Sequence, residues 1–188
     1  GTRGCRHSGS SFVLPGNELF ARLSHFSISF ARRLPKEPQE TAMLAELRKS
    51  LYTVPLIQTL GAMPTEVAPG RVTIALSHRP SLLDHTGALH SAALFAIAEL
   101  AAGVLVATHP QLADLAPRRS TTTIRYVSAS FGDVTALAEL PDEALTELAH
   151  PGRSTALEVE IGVRVLDAVD NEVAKVACRF VILPSPDR

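Results

Sequence analysis

The stretch Gly87-Ala-Leu-His-Ser-Ala-Ala-Leu-Phe-Ala-Ile-Ala-Glu-Leu-Ala-Ala-Gly-Val-Leu-Val-Ala107 decides how this chain folds. Alanine and leucine dominate it and it holds no proline, which predicts a helix. It is apolar nearly all round, the pattern of a helix enclosed by other structure rather than one lying on a surface. Glu99 is its only acid, and the neighbouring acids along the chain are Asp84 and Asp114. A carboxylate in that setting is costly unless it is paired, protonated or used. The run has the roughly 20 residues needed to span a bilayer. A glutamate at mid-membrane is expensive, so a core helix is expected and no membrane span.

Strand patterns lie on both sides. Upstream, Glu40 to Leu51 carries Ala42, Leu44, Leu47 and Leu51 at helical spacing, and Pro55 ends or bends that helix. Gly61 to Val67 is extended, Pro69-Gly70 is a turn, and Arg71 to Ser77 alternates as a half-buried strand does. Downstream, His109-Pro110 stops the central helix, and residues 111–120 read as a polar connection. Thr121 to Ser130 reads as a strand, with Val134 to Glu139 as its hairpin partner across Gly132-Asp133. Pro141-Asp142 opens a short helix reaching His150. Thr155 to Val165 alternates cleanly, and Val173 to Leu183 follows it across turn-forming Asp167 to Asn171. Strand–helix–strand alternation is missing, which argues against a doubly wound sheet. An α+β domain is expected over residues 41–188: an antiparallel sheet of about five to six strands wrapped around one long central helix. Residues 1–40 form an extension. Asn17 to Leu34 has the apolar spacing of a short helix, Pro35 to Pro38 reads as a linker, and the basic start also resembles a targeting peptide.

Composition narrows the function classes. The 188 residues carry 18 Lys and Arg against 19 Asp and Glu, a net charge of −1, so nothing favours a nucleic-acid partner. The two cysteines, Cys5 and Cys178, form neither a metal spacing nor a disulfide framework and favour a reducing, cytoplasmic setting. The sequence holds no metal cluster, phosphate loop or nucleotide fingerprint.

The motif Asp84-His-Thr-Gly87-Ala-Leu-His90-Ser91-Ala92, then Glu99, then Gly103, resembles the helix motif of hotdog-fold thioesterases of the phenylacetate-pathway type. In that family the motif reads approximately Asn-x-x-Gly-x-x-His-Gly-Gly. Asp84 and Ser91-Ala92 depart from it here. The resemblance extends over about residues 45–184, and a helical insertion before the last hairpin is similar to a largely uncharacterised hotdog branch. It implies a hotdog fold and an acyl-CoA thioesterase without a cofactor, coenzyme A being part of the substrate. It also implies Glu99 as base or nucleophile, and the N–H of Ser91, after His90, as oxyanion donor.

A helix start supplies free N–H groups and the positive end of a dipole, so the oxyanion role has a physical basis. Ser91 and Glu99 are eight residues apart, about 12 Å along one helix axis. They cannot meet on one carbonyl within one chain. Two antiparallel helices would bring each Ser91 to the other's Glu99, so a homodimer, or a pair of such dimers, is expected. Candidate substrate contacts are Asp84, His85, Gly87, Thr122, Arg118 and Arg119, the arginines for coenzyme A phosphates. Two other readings fit the same residues. His85 and Glu99 resemble the His/Glu pair of hotdog hydratases and dehydratases, and an apolar tunnel would equally serve a noncatalytic acyl-binding module.

Overall fold

The computed structural model describes residues 38–113, 117–140 and 156–182. The expected helices at Asn17 to Leu34 and Pro141 to His150 lie outside those residues. Helix α1 (Pro38–Leu51) starts slightly ahead of its apolar pattern and buries Leu47 and Leu51. Pro55 does more than end it. It opens a second helix, α2 (Pro55–Leu60), where its missing N–H costs nothing. Gly61, at φ 61°, closes α2 in the left-handed conformation.

Strands β1 (Met63–Ala68) and β2 (Arg71–Leu76) follow as a hairpin, and a single 3₁₀ turn (Pro80–Leu82) leads toward the central helix. Helix α3 (Ser91–Thr108) is the predicted apolar run. A four-residue helix α4 (Pro110–Ala113) comes next. Then β3 (Arg118–Tyr126), β4 (Val134–Glu139), β5 (Leu157–Asp167) and β6 (Glu172–Ile182) complete one antiparallel six-stranded sheet, ordered β1-β2-β4-β5-β6-β3. This is the hotdog arrangement, with α3 packed chiefly over β2 and β4 and then β5.

One expected pairing is corrected. Val134 to Glu139 is not the hairpin partner of the threonine-rich strand: β3 pairs with β6 at the sheet edge, while β4 lies between β2 and β5. Gly132-Asp133 ends a longer crossing loop instead of making a two-residue turn. That loop is tied down by bonds outside any ladder. The Leu89 N–H donates to Ser130 O at 2.8 Å, and the His78 N–H donates to the Asp133 carboxylate at 2.7 Å. β3 also begins three residues earlier than its threonine content suggests, at Arg118.

The core follows the period-2 alternation of the last hairpin. On β5, Val159, Ile161, Val163 and Val165 are buried while Glu158, Glu160 and Arg164 are exposed. On β6, Ala174, Val176, Cys178, Phe180 and Ile182 face inward. Ile97, Ala98, Ala101, Ala102, Val104 and Leu105 of α3 complete the layer. Burying each leucine or isoleucine contributes about 1.5–3 kcal/mol. The sheet covers only one side of α3, so the helix is not enclosed all round. Ala92, Phe95, Ala96, Glu99, Leu100 and Gly103 form an exposed to half-buried stripe on its other side. By length and composition α3 could cross a membrane, but here it is the core helix of the sheet.

Candidate active site

The turn before α3 is built from its own polar groups. The Asp84 carboxylate accepts from the Thr86 hydroxyl and N–H, both at 2.7 Å, and from the Ala88 N–H at 3.3 Å. The Thr86 hydroxyl and then its N–H hold the Asp84 carboxyl below its ordinary range. Gly87 has φ 85°, which a side chain would strain, although a Cβ there would meet nothing within 4 Å. Glycine is therefore needed here for its backbone angle. The Gly87 carbonyl accepts from His78 Nε2 at 3.0 Å.

His90 then caps α3. Its backbone is extended, with φ −62° and ψ 138°, and its Nδ1 accepts the Ala92 N–H at 3.0 Å. Its carbonyl accepts the N–H groups of Ala93, at 2.8 Å, and Leu94, at 3.3 Å. Leu94 makes the first regular helical bond; of the four N–H groups that a helix start leaves open, that of His90 donates to Leu82 O at 2.8 Å, and those of Ala92 and Ala93 are satisfied by His90 itself. The fourth belongs to Ser91 and has no acceptor among the described residues. The capping arrangement leaves a single donor at the positive end of the helix dipole.

Glu99 lies two turns further along α3 with its side chain 28% exposed. Two groups of β3 reach it. Arg119 Nη1 is 3.0 Å from Glu99 Oε1, and the Thr122 hydroxyl donates to the same oxygen at 3.1 Å. Residues 119 and 122 would point to opposite faces of a regular strand. They share a face because β3 bulges between Arg119 and Thr121. Arg119 pairs with Phe180 and Thr122 with Cys178, both inward-facing residues of β6. The Thr122 hydroxyl also lies 3.9 Å from Cys178 Sγ, and burial pushes that thiol up from its ordinary range.

The remaining candidates divide between two places. A cleft of about 410 Å³ at the start of α3 is lined by Asp84, His85, His90 and Ser91, with Leu94 and Tyr126 among its other walls. His85 is exposed in it. Arg118 is exposed at the opposite end of β3, and Arg119 is turned onto Glu99. Ser91 and Glu99 of one chain stay apart by the helix rise. Tyr126 was not legible from the sequence as a site residue. Its hydroxyl donates to Ser91 O at 3.2 Å, and only the strand register after the bulge brings it to the helix start. No group of three or more His, Cys, Asp or Glu among the described residues could hold a metal ion.

Solved structures share this architecture. A Pseudomonas aeruginosa protein of unknown function is 24% identical, with a TM-score of 0.63 over 74% of this chain and 95% of that one. The E. coli PaaI protein from the phenylacetic acid degradation operon is 16% identical, with a TM-score of 0.58 over 79% and 97%. Zebrafish thioesterase superfamily member 2 is 14% identical, with a TM-score of 0.59 over 74% and 97%. At these identities the likeness shows the fold. No curated protein sequence matches the chain. A family model does, over residues 46–182, and the protein thereby belongs to the domain of unknown function family DUF4442, whose member here has the hotdog fold.

Proposed function

We propose that this protein is an acyl-CoA thioesterase working as a homodimer. Glu99 is the base or nucleophile, and the Ser91 N–H of the opposite protomer is the oxyanion donor. The observation that carries this reading is the state of the Glu99 carboxylate. Both of its protein donors bond Oε1, and Oε2 has no partner among the described residues. One oxygen is anchored while the other is left to abstract a proton from water or to attack a thioester carbonyl.

The dimer is supported by the half-open stripe of α3 around Glu99 and by the outer edge of β3, which no strand among the described residues pairs with. At the end of that edge strand and just past it, Tyr126, Val127 and Phe131 are 47%, 51% and 66% exposed. Neighbours of the same fold include proteins named as thioesterases. Hydrolysis of short, medium and long acyl-CoAs by wild type and Glu99→Gln, with solution mass measured alongside, tests the proposal. A loss of about 10²–10⁴-fold in the variant with the dimer intact is expected. Acyl-CoA binding without hydrolysis at any chain length would point to a noncatalytic module instead. Hydration of a crotonyl thioester that depends on His85 would point to a hydratase.

A further inference from the structure

We infer that Arg119 is a positioning residue that orients Glu99 for the reaction, not a contact for coenzyme A phosphates; this rests on the thioesterase reading above. Four features converge on its guanidinium. Nη1 meets Glu99 Oε1 at 3.0 Å while Nη2 donates to the Glu99 backbone carbonyl at 3.1 Å. One planar fork therefore grips both ends of a single residue, which fixes the carboxylate relative to its own backbone. The guanidinium also lies over the Phe180 ring, 5.5 Å from its centre. Gly103, one turn beyond Glu99, leaves the seat open: a Cβ there would lie 3.2 Å from Nη2, tighter than an ordinary contact.

The bulge in β3 is what supplies Arg119 to this position. Without the extra residue Ser120, the sequence parity that turns Thr122 inward would turn residue 120, not 119, toward α3. With Arg119 and Thr122 both on Oε1, the carboxylate plane is held by two donors and Oε2 keeps one direction. An arginine held in this way, with its side chain only 29% exposed, is committed to Glu99. Reaching a phosphate would require it to break both bonds and leave the ring.

The test compares Arg119→Gln, Arg119→Lys and Gly103→Ala with wild type on an acyl-CoA and on the same acyl group carried by N-acetylcysteamine, which has no phosphates. Arg119→Gln is expected to lower kcat by up to about 100-fold on both substrates, since a misplaced reactive group costs that much. KM on both should stay within about threefold, because ground-state binding is not what was removed. Arg119→Lys should fall in between, as an ammonium reaches one acceptor and not both. Gly103→Ala should move kcat in the same direction by displacing the guanidinium, and it covers the case in which Arg119→Gln folds poorly. A rise in KM confined to the acyl-CoA, with kcat unchanged, would overturn the inference and return Arg119 to phosphate binding. Unaltered kinetics in all three variants would overturn it too. A wild-type protein inactive on both substrates would remove the thioesterase reading, and the inference with it.

Discussion

Ser91→Pro removes one N–H and almost nothing else. Ser91 is the first residue of α3, the helical position where proline is tolerated because its N–H is outside the helical ladder. The residue before a proline must be extended, and His90 already is, at φ −62° and ψ 138°. The His90 cap on Ala92, Ala93 and Leu94 does not involve the deleted group. Loss of one oxyanion donor costs about 2.7–4 kcal/mol, or 10²–10³-fold in kcat. The stronger use of the variant is to locate the site. Ser91 and Glu99 lie about 12 Å apart along one helix, so the pair proposed above has to come from two chains. Homodimers of Ser91→Pro lack the donor at both sites, and homodimers of Glu99→Gln lack the carboxylate at both. A mixed dimer holds one site with neither defect and one with both. When equal amounts are co-refolded, about half the dimers are mixed and about a quarter of the wild-type sites return. Initial rates of acyl-CoA hydrolysis for the mixture, with native mass spectrometry to count mixed dimers, would measure this. Mixed dimers formed in the expected share, with a rate no higher than the mean of the two variants, would refute the shared site.

Two further outcomes follow from burial. His109 is 5% exposed, and desolvation holds its imidazole below the ordinary range, so the unfolded chain binds a proton that the folded chain resists. Its contribution to stability is complete above about pH 6.5 and declines as pH falls from there toward the lowered folded value. Urea midpoints at pH 7.5 and 5.5 should differ less in His109→Gln than in wild type, and an equal difference would contradict this. Cys178 is 0% exposed with its thiol pushed up by burial, so iodoacetamide at pH 8 should label it only in denaturant. Peptide mapping that finds it fully alkylated in the native protein would refute that.

The fold was largely legible because its signals are local. The apolar run of α3, the alternation of β5 and the turn residues between β5 and β6 each follow from spacing along the chain. Pairing partners were less accessible. Gly132-Asp133 looks like a hairpin turn, yet β3 goes to the far edge of the sheet, because nothing between two adjacent strands states which inner face each must cover. At the candidate site, Glu99 and the helix start stand out in the sequence because an acid in an apolar run and a His-Ser pair at a helix boundary are local anomalies. Arg119 was legible only as one of two adjacent basic residues, with no indication that it faces Glu99.

The sequence by itself determined that one carboxylate would be carried on the long apolar helix of the domain. It also determined, through the helix rise, that the nearest helix-start donor would be too far away to share a substrate with it. Tertiary structure alone decided what holds that carboxylate. A one-residue bulge in β3 reverses the strand's parity and turns Arg119 inward beside Thr122, over Phe180 and into the space left by Gly103. Parity along a strand is a property of its pairing with β6, set by hydrogen bonds between residues roughly sixty positions apart, so no local pattern could have announced it.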